Sequence, residues 1–90
     1  MAQLRFETDQ GRTTLNEFRS CISALEGELN KSQSSCNNLM GAWEAPAANQ
    51  FEGEFQQCAQ SLQQMMQMLE EVCQRLDREI QEWEAAAQGF

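Results

Sequence analysis

The helical pattern of this chain is broken once, at its midpoint, by the stretch Gly41-Ala42-Trp43-Glu44-Ala45-Pro46. Apolar residues lead up to this break at intervals of three and four, and the same spacing resumes after it. Such spacing places apolar side chains on one face of an α-helix. Gly41 can end a helix in a left-handed conformation, and Pro46 suits the first turn of a new helix. The sequence therefore predicts two helices joined by a short turn.

The apolar positions on the two sides of the break mirror each other. Leu29 lies as far before the break as Met65 lies after it, and Phe18 matches Leu76 in the same way. If the chain folds back on itself, these side chains meet at equal heights. We therefore predict an all-α protein, an antiparallel two-helix hairpin that forms one domain over residues 1–90. Helix 1 is expected over about 9–41, the turn over about 42–46 and helix 2 over about 47–87.

Composition excludes several classes of function. The 90 residues carry a net charge of -8 with only six Lys and Arg, so nucleic acid is not an expected partner. The chain contains no His and no Tyr, which removes common general bases and metal ligands. We expect no enzymatic activity, no cofactor and no metal. No run of about 18 apolar residues is present, so no membrane span is expected.

Helix 2 has more apolar surface than one partner helix covers. With Ala48 and Phe55 at heptad position a, the a/d seam accounts for packing on helix 1. Outside that seam, Met66 and Ile80 take position e and Met68 position g. The widened face is centred on the residues Met65, Met66, Met68 and Leu69.

A hairpin of this size has little interior and usually needs further support. We therefore predict that two hairpins dimerise through this face into a four-helix bundle, as a homodimer or with a related small helical partner. The alternative is a monomer with a few methionines on its surface.

The four cysteines suggest a hairpin whose helices are linked by disulfides. Cys36 takes position a and Cys58 position d, so they are expected to face each other and to form a disulfide. Cys21 and Cys73 lie at equal heights but on opposite flanks of the seam, so their bridge requires rotated helices. Disulfides would indicate an oxidising destination. The alternative is that the cysteines are buried free thiols acting as small apolar residues.

The turn resembles that of the WXG family, the small Esx-type proteins exported by type VII secretion systems. The resemblance rests on Trp43-Glu44-Ala45 between two long helices, followed by small residues and by Phe51 and Phe55. It covers almost the whole chain, although its motif is short. Ala45 stands where the family has Gly. The resemblance implies a non-enzymatic, secreted or cell-surface-associated protein, and residues 1–7 lack the basic and apolar regions of a secretory leader.

The family also has a C-terminal export motif, Y-x-x-x-D/E, about forty residues after the Trp. Here that place holds Trp83-Glu84-Ala85-Ala86-Ala87, with the aromatic residue kept in kind but Ala87 in place of the acid. Trp83 and Ala87 are therefore a candidate export signal, and a partner chain would supply the missing acidic position. If the signal is used, we expect residues from about 82 to 90 to be exposed and partly frayed.

Three hypotheses follow. The first is a WXG-like protein of type VII secretion that dimerises and presents its Trp43 end and its termini to the secretion machinery or to a cargo protein. The second is an intracellular coiled-coil adaptor or structural subunit, which reduced cysteines would favour. The third is an enzyme or metalloprotein that uses the four thiols. Both tryptophans also have a purely structural interpretation: Trp43 would close the turn end of the core, and Trp83 would pack near the start of helix 1.

Overall fold

The computed structural model describes residues 4–88, which form two long helices. Helix α1 runs over Thr8–Met40 and helix α2 over Pro46–Gln88. The helices pack antiparallel, with Arg12 near the start of α1 bonded to Glu84 near the end of α2. The particle measures 69 × 23 × 16 Å, as expected for helices of about 50 and 65 Å. The all-α helical hairpin predicted from the sequence is confirmed.

The turn between the helices forms without left-handed backbone. Gly41 has φ -71° and ψ -17°, so the expectation that it ends α1 in a left-handed conformation is wrong. Instead the last turn of α1 tightens: the Gly41 N–H donates to Asn37 O at 3.2 Å and the Ala42 N–H to Leu39 O at 2.9 Å. No residue within 4–88 has a positive φ. Ala45 therefore needs no glycine-like freedom in this turn.

Pro46 is the first residue of α2, where its missing N–H costs no helical hydrogen bond. The Ala48 N–H donates to Ala45 O at 3.0 Å and starts the new helix. The single proline thus fixes where α2 begins.

The core is a narrow seam between the helices. Apart from Gly11 and Ala48, the buried residues recur at every seventh position on each helix, which is the spacing of a coiled-coil contact column. A first cluster lies towards the open end of the hairpin and a second towards the turn. The first consists of Leu15, Ile22, Cys73 and Ile80; the second consists of Leu29, Ala59 and Met66.

This seam differs from the predicted one by a rotation of α2. The sequence places the a and d positions of α2 against α1, whereas the structure buries the e column that includes Ala59, Met66 and Ile80. The a and e columns of a helix are about 40° apart. The rotation is therefore small, but it changes which side chains are buried and which are exposed. The smaller side chains of Ala59 and Cys73 give α1 a closer approach than the Phe and Leu side chains of the a column would.

The same rotation removes the predicted disulfides. All four cysteines are free: Cys36 and Cys73 are buried in the seam, while Cys21 and Cys58 are exposed. Each predicted pair, Cys36–Cys58 and Cys21–Cys73, therefore joins one seam residue to one exposed residue and is not bonded. The open alternative of buried free thiols holds for Cys36 and Cys73 only.

These positions predict two classes of thiol. In the native protein, a thiol reagent should modify Cys21 and Cys58 rapidly and Cys36 and Cys73 only after unfolding. Burial raises the pKa of the Cys73 thiol, with the Glu70 carboxylate adding to the effect and Arg19 opposing it, so this thiol should be the least reactive. Timed alkylation with peptide mapping measures this order. A melting temperature that falls on adding reductant would contradict the absence of a stabilising disulfide.

Candidate functional site

One side of the hairpin is rich in exposed and half-buried apolar side chains, and we call it the apolar flank. On α2 it combines the half-buried a column with the exposed d column beside it. On α1 it includes the residues three positions beyond the seam, which helical geometry places on the same side. The members of the apolar flank are Phe18, Leu25, Leu39, Phe51, Phe55, Leu62, Met65, Leu69, Val72 and Leu76.

The opposite side of the seam is polar. A shallow groove there has Ile22, Leu29 and Met66 at its floor. Its walls are the polar residues Glu26, Asn30, Gln63, Gln67 and Glu70. The two sides therefore differ in chemistry, and only the apolar flank offers side chains whose burial against another chain would be favourable.

The predicted dimer residues divide between the seam and the surface. Met66 is only 8% exposed and packs inside the hairpin, so it is not available to a second chain in this fold. Met65 is 63% exposed on the apolar flank, and Met68 is comparably exposed just outside it. Leu69 is half-buried and packs against the first cluster. Ile80, also assigned to the excess face, is fully buried in the seam.

The hairpin exposes far more surface than a globular protein of its mass. A 10.3 kDa globular chain exposes about 5,400 Å², whereas this one exposes 7235 Å². Its radius of gyration is 20.4 Å, against about 12 Å for a globular chain of this length. Few side chains are therefore fully enclosed by the hairpin alone, and Ile80 and Cys73 are the largest of them among the described residues.

The turn end of the hairpin is closed by an aromatic pair. Trp43, in the turn, packs on Phe51 of α2 with ring centroids 5.9 Å apart and planes tilted by 54°. Trp43 is half-buried, while Glu44 and Ala45 are exposed. Beside this pair, Cys36, Leu39 and Phe55 line a shallow groove with polar residues of α1. The indole therefore has both a packed face and an accessible face.

The open end of the hairpin is closed by a second aromatic pair. Phe6, which precedes α1, meets Trp83 of α2 edge to face, with centroids 5.8 Å apart and planes at 81°. The Phe6 ring also lies over Gly11: a Cβ there would be 2.8 Å from Phe6 Cζ and 3.1 Å from Ile80 Cγ1. Gly11 thus makes room for the ring, which sequence reasoning missed. A glycine in an early turn of a helix was the available signal.

An ion pair lies next to the Phe6–Trp83 pair. Arg12 donates from Nε to Glu84 Oε2 at 3.1 Å and from Nη2 to Glu84 Oε1. The hydrogen bond from Arg12 lowers the pKa of the Glu84 carboxyl, and the same bond raises the pKa of Arg12. Trp83 and Glu84 are therefore held by the start of the chain, and α2 continues to Gln88. Glu82 and residues 85–88 are exposed, as expected for a targeting tail, while Trp83 and Glu84 are half-buried. Fraying from about residue 82 stays a prediction, and residues 89–90 lie outside the described part of the chain. Ala87 is exposed and Trp83 half-buried.

Comparison with known proteins identifies the family. The family model WXG100, described as proteins of 100 residues with WXG, matches residues 3–88. The chain belongs to the WXG100 family. No curated protein and no solved structure matches it. WXG100 proteins are small helical proteins secreted by type VII systems and are not known as enzymes. The family inferred from the turn motif is confirmed.

Two further features of this WXG100 protein concern metals and membranes. Within residues 4–88, no group of three or more Cys, Asp or Glu side chains is placed to hold a metal ion. In the same part of the chain, neither helix has an apolar stretch long enough to cross a membrane.

Adjacent methionines should separate folding from association in this WXG100 protein. Met66→Ala should lower the free energy of unfolding by about 2–5 kcal/mol, because it opens a cavity in the seam. Met65→Ala should cost the hairpin itself less than about 0.5 kcal/mol but weaken any association through the apolar flank. Chemical denaturation at several protein concentrations distinguishes the two effects. If Met65→Ala and Met66→Ala lowered the free energy of unfolding equally at every protein concentration, the observed rotation of α2 would be contradicted.

The Arg12–Glu84 pair should make the stability of the fold depend on pH in a defined direction. The folded-state pKa of Glu84 lies below its ordinary value of 4.5, so the pair stabilises the fold above that pH and is lost as the pH falls through the lowered pKa. Arg12→Gln should raise the pKa of Glu84 back towards its ordinary value. Carboxyl-detected NMR titration of both proteins measures the change. An unchanged Glu84 pKa in Arg12→Gln would show that the pair does not form in solution.

Proposed function

We propose that this protein is exported by, or acts as a partner in, a type VII secretion system, and that it works as a pair of hairpins. The pair is a homodimer or a complex with a related small helical chain. It forms a four-helix bundle through the apolar flank and catalyses no reaction. The observation that carries this proposal is the apolar flank itself, on a protein of a family whose members are secreted by type VII systems.

Physical chemistry favours pairing on this flank. Stable interfaces bury about 800 Å² on each partner, and the hairpin exposes roughly 1,800 Å² more than a globular chain of its mass. Burying Phe51, Met65 and Val72 against apolar side chains gains about 25 cal/mol per Å² before the entropic cost of association. The opposite flank offers carboxylates and amides, whose burial without partners is costly.

The two ends of the bundle would remain free for recognition. In the proposed complex, the exposed side of Trp43 and its neighbours Glu44 and Ala45 form one contact surface for secretion machinery or cargo. Trp83 and Ala87 form the second, at the C-terminal end of α2. Because Ala87 replaces an acidic residue, a partner hairpin with that acid would complete the export signal. The protein would then be found outside the cell or at its surface.

An intracellular coiled-coil adaptor is the alternative. The four free thiols favour it, because disulfides are typical of proteins that reside in oxidising compartments. The apolar flank is compatible with either function, so localisation distinguishes them.

Matched charge substitutions test the proposed pairing and its link to export. Val72→Glu puts a carboxylate on the apolar flank, and Gln67→Glu puts the same charge on the polar side of the same helix. Light scattering at micromolar concentration should give about twice 10.3 kDa for wild type and Gln67→Glu. Val72→Glu should reduce association by about tenfold or more, since burying an unpaired charge costs several kcal/mol. In cells, Val72→Glu should also reduce the secreted amount.

Three outcomes would contradict the proposal. A wild-type protein that is a well-folded monomer at micromolar concentration, with no small helical partner, contradicts pairing. Equal association of Val72→Glu and Gln67→Glu places the interface elsewhere. Wild-type protein that stays inside cells with an active type VII system favours the intracellular adaptor. Intracellular levels are measured alongside, so that degradation is not mistaken for failed export.

A further inference from the structure

Residues 4–6, which precede the N-cap residue Glu7 of α1, are attached to the hairpin through one side chain. Phe6 is half-buried and packs against the first cluster, Gly11 and Trp83. Its neighbours make no comparable contact: Leu4 is 86% exposed, and Arg5 and Glu7 pair with each other at 3.2 Å on the surface. The Glu7 carbonyl accepts a hydrogen bond from the Gly11 N–H at 3.1 Å, so Glu7 stays with α1. Residues 4–6 can therefore detach by moving a single ring, without opening the seam.

The site under this ring is built for it. Two atoms of the Phe6 ring lie within 3 Å of where a Cβ on Gly11 would be, so any other residue at position 11 displaces the ring. In contrast, Gly27 has open space around it in the same helix. The contact is specific to Phe6 over Gly11, and the edge-to-face geometry with Trp83 is one that aromatic rings prefer.

We propose that residues 4–6 form a latch in which Phe6 covers part of Trp83, and that the latch must open before a secretion partner can bind the indole. This inference rests on the proposed function, in which Trp83 is the aromatic residue of the export signal. The edge-to-face pair alone favours the closed state by about two- to tenfold, and burial of the Phe6 ring on the first cluster adds to this preference. The open state is then a minor but accessible population, which a partner that binds exposed Trp83 shifts in its favour.

The Arg12–Glu84 pair holds the two helices together beside the latch. It joins α1 to α2 beside Trp83 and does not involve residues 4–6. When Phe6 leaves, α2 remains attached to α1 at this point and Ile80 remains in the seam. Trp83 is therefore exposed on an ordered helix, which is a better surface for recognition than a frayed chain end.

Fluorescence of Trp83 alone tests whether the latch exists. The chain has two tryptophans, so Trp43→Phe leaves Trp83 as the only indole. In that background, Phe6→Ala and Gly11→Ala should each raise the acrylamide quenching constant about twofold or more, with unchanged helical circular dichroism. The matched controls are Leu4→Ala, in the same segment, and Gly27→Ala, in the same helix; neither should change quenching. Equal quenching in all five proteins would overturn the latch.

Export with native Trp43 tests whether the latch restricts recognition. Phe6→Ala and Gly11→Ala should increase the initial rate of appearance in the medium about twofold or more relative to wild type and to both controls. Unchanged or reduced export, together with increased quenching, would overturn the proposal and make Phe6 part of the recognised surface. If wild type itself is not exported, the proposed function fails, whereas the latch is still decided by the quenching measurement.

Discussion

The hairpin depends on one column of contacts, in which Leu15, Ile22 and Leu29 of α1 meet a column of α2 that includes Met66 and Ile80. A helix with a single neighbour buries only part of its circumference, so this column must supply most of the hydrophobic stabilisation. Small residues within it, such as Ala59, permit a close approach of the two helices. Because the buried column is narrow, the larger Phe and Leu side chains of α2 lie at its edge. The apolar flank is a direct consequence of this arrangement.

Both ends of the seam are covered by aromatic pairs, Trp43 with Phe51 at the turn and Phe6 with Trp83 at the open end. Each tryptophan therefore has a packing role in addition to any part in recognition. A partner that binds either indole competes with an existing contact or uses the face that remains exposed. The two sequence-based interpretations of the tryptophans, structural and recognition, are thus compatible in one molecule.

Several sequence-based inferences agree with the structure because they depend on local chemistry. The break at Gly41–Pro46 and the spacing of three and four are sufficient to specify two helices. The turn motif around Trp43 led to the same family that the family model matches. The predicted heptad phase of α2 was wrong. The a, d and e columns of α2 are all apolar, so apolarity alone does not show which one faces α1. The disulfide assignments failed for the same reason, since they depended on that phase.

Contacts between distant parts of the chain could not be predicted from the sequence pattern either. Phe6 and Trp83 are separated by most of the sequence, and only the folded hairpin shows that Gly11 accommodates the ring between them. Nor does the sequence show that Arg12 reaches Glu84. The sequence by itself determined that this protein is an antiparallel helical hairpin, because helical periodicity and a proline-marked turn act locally. The tertiary structure decided which apolar column is buried, which methionine is exposed and what covers Trp83, because these depend on how side chains of different size pack between two helices.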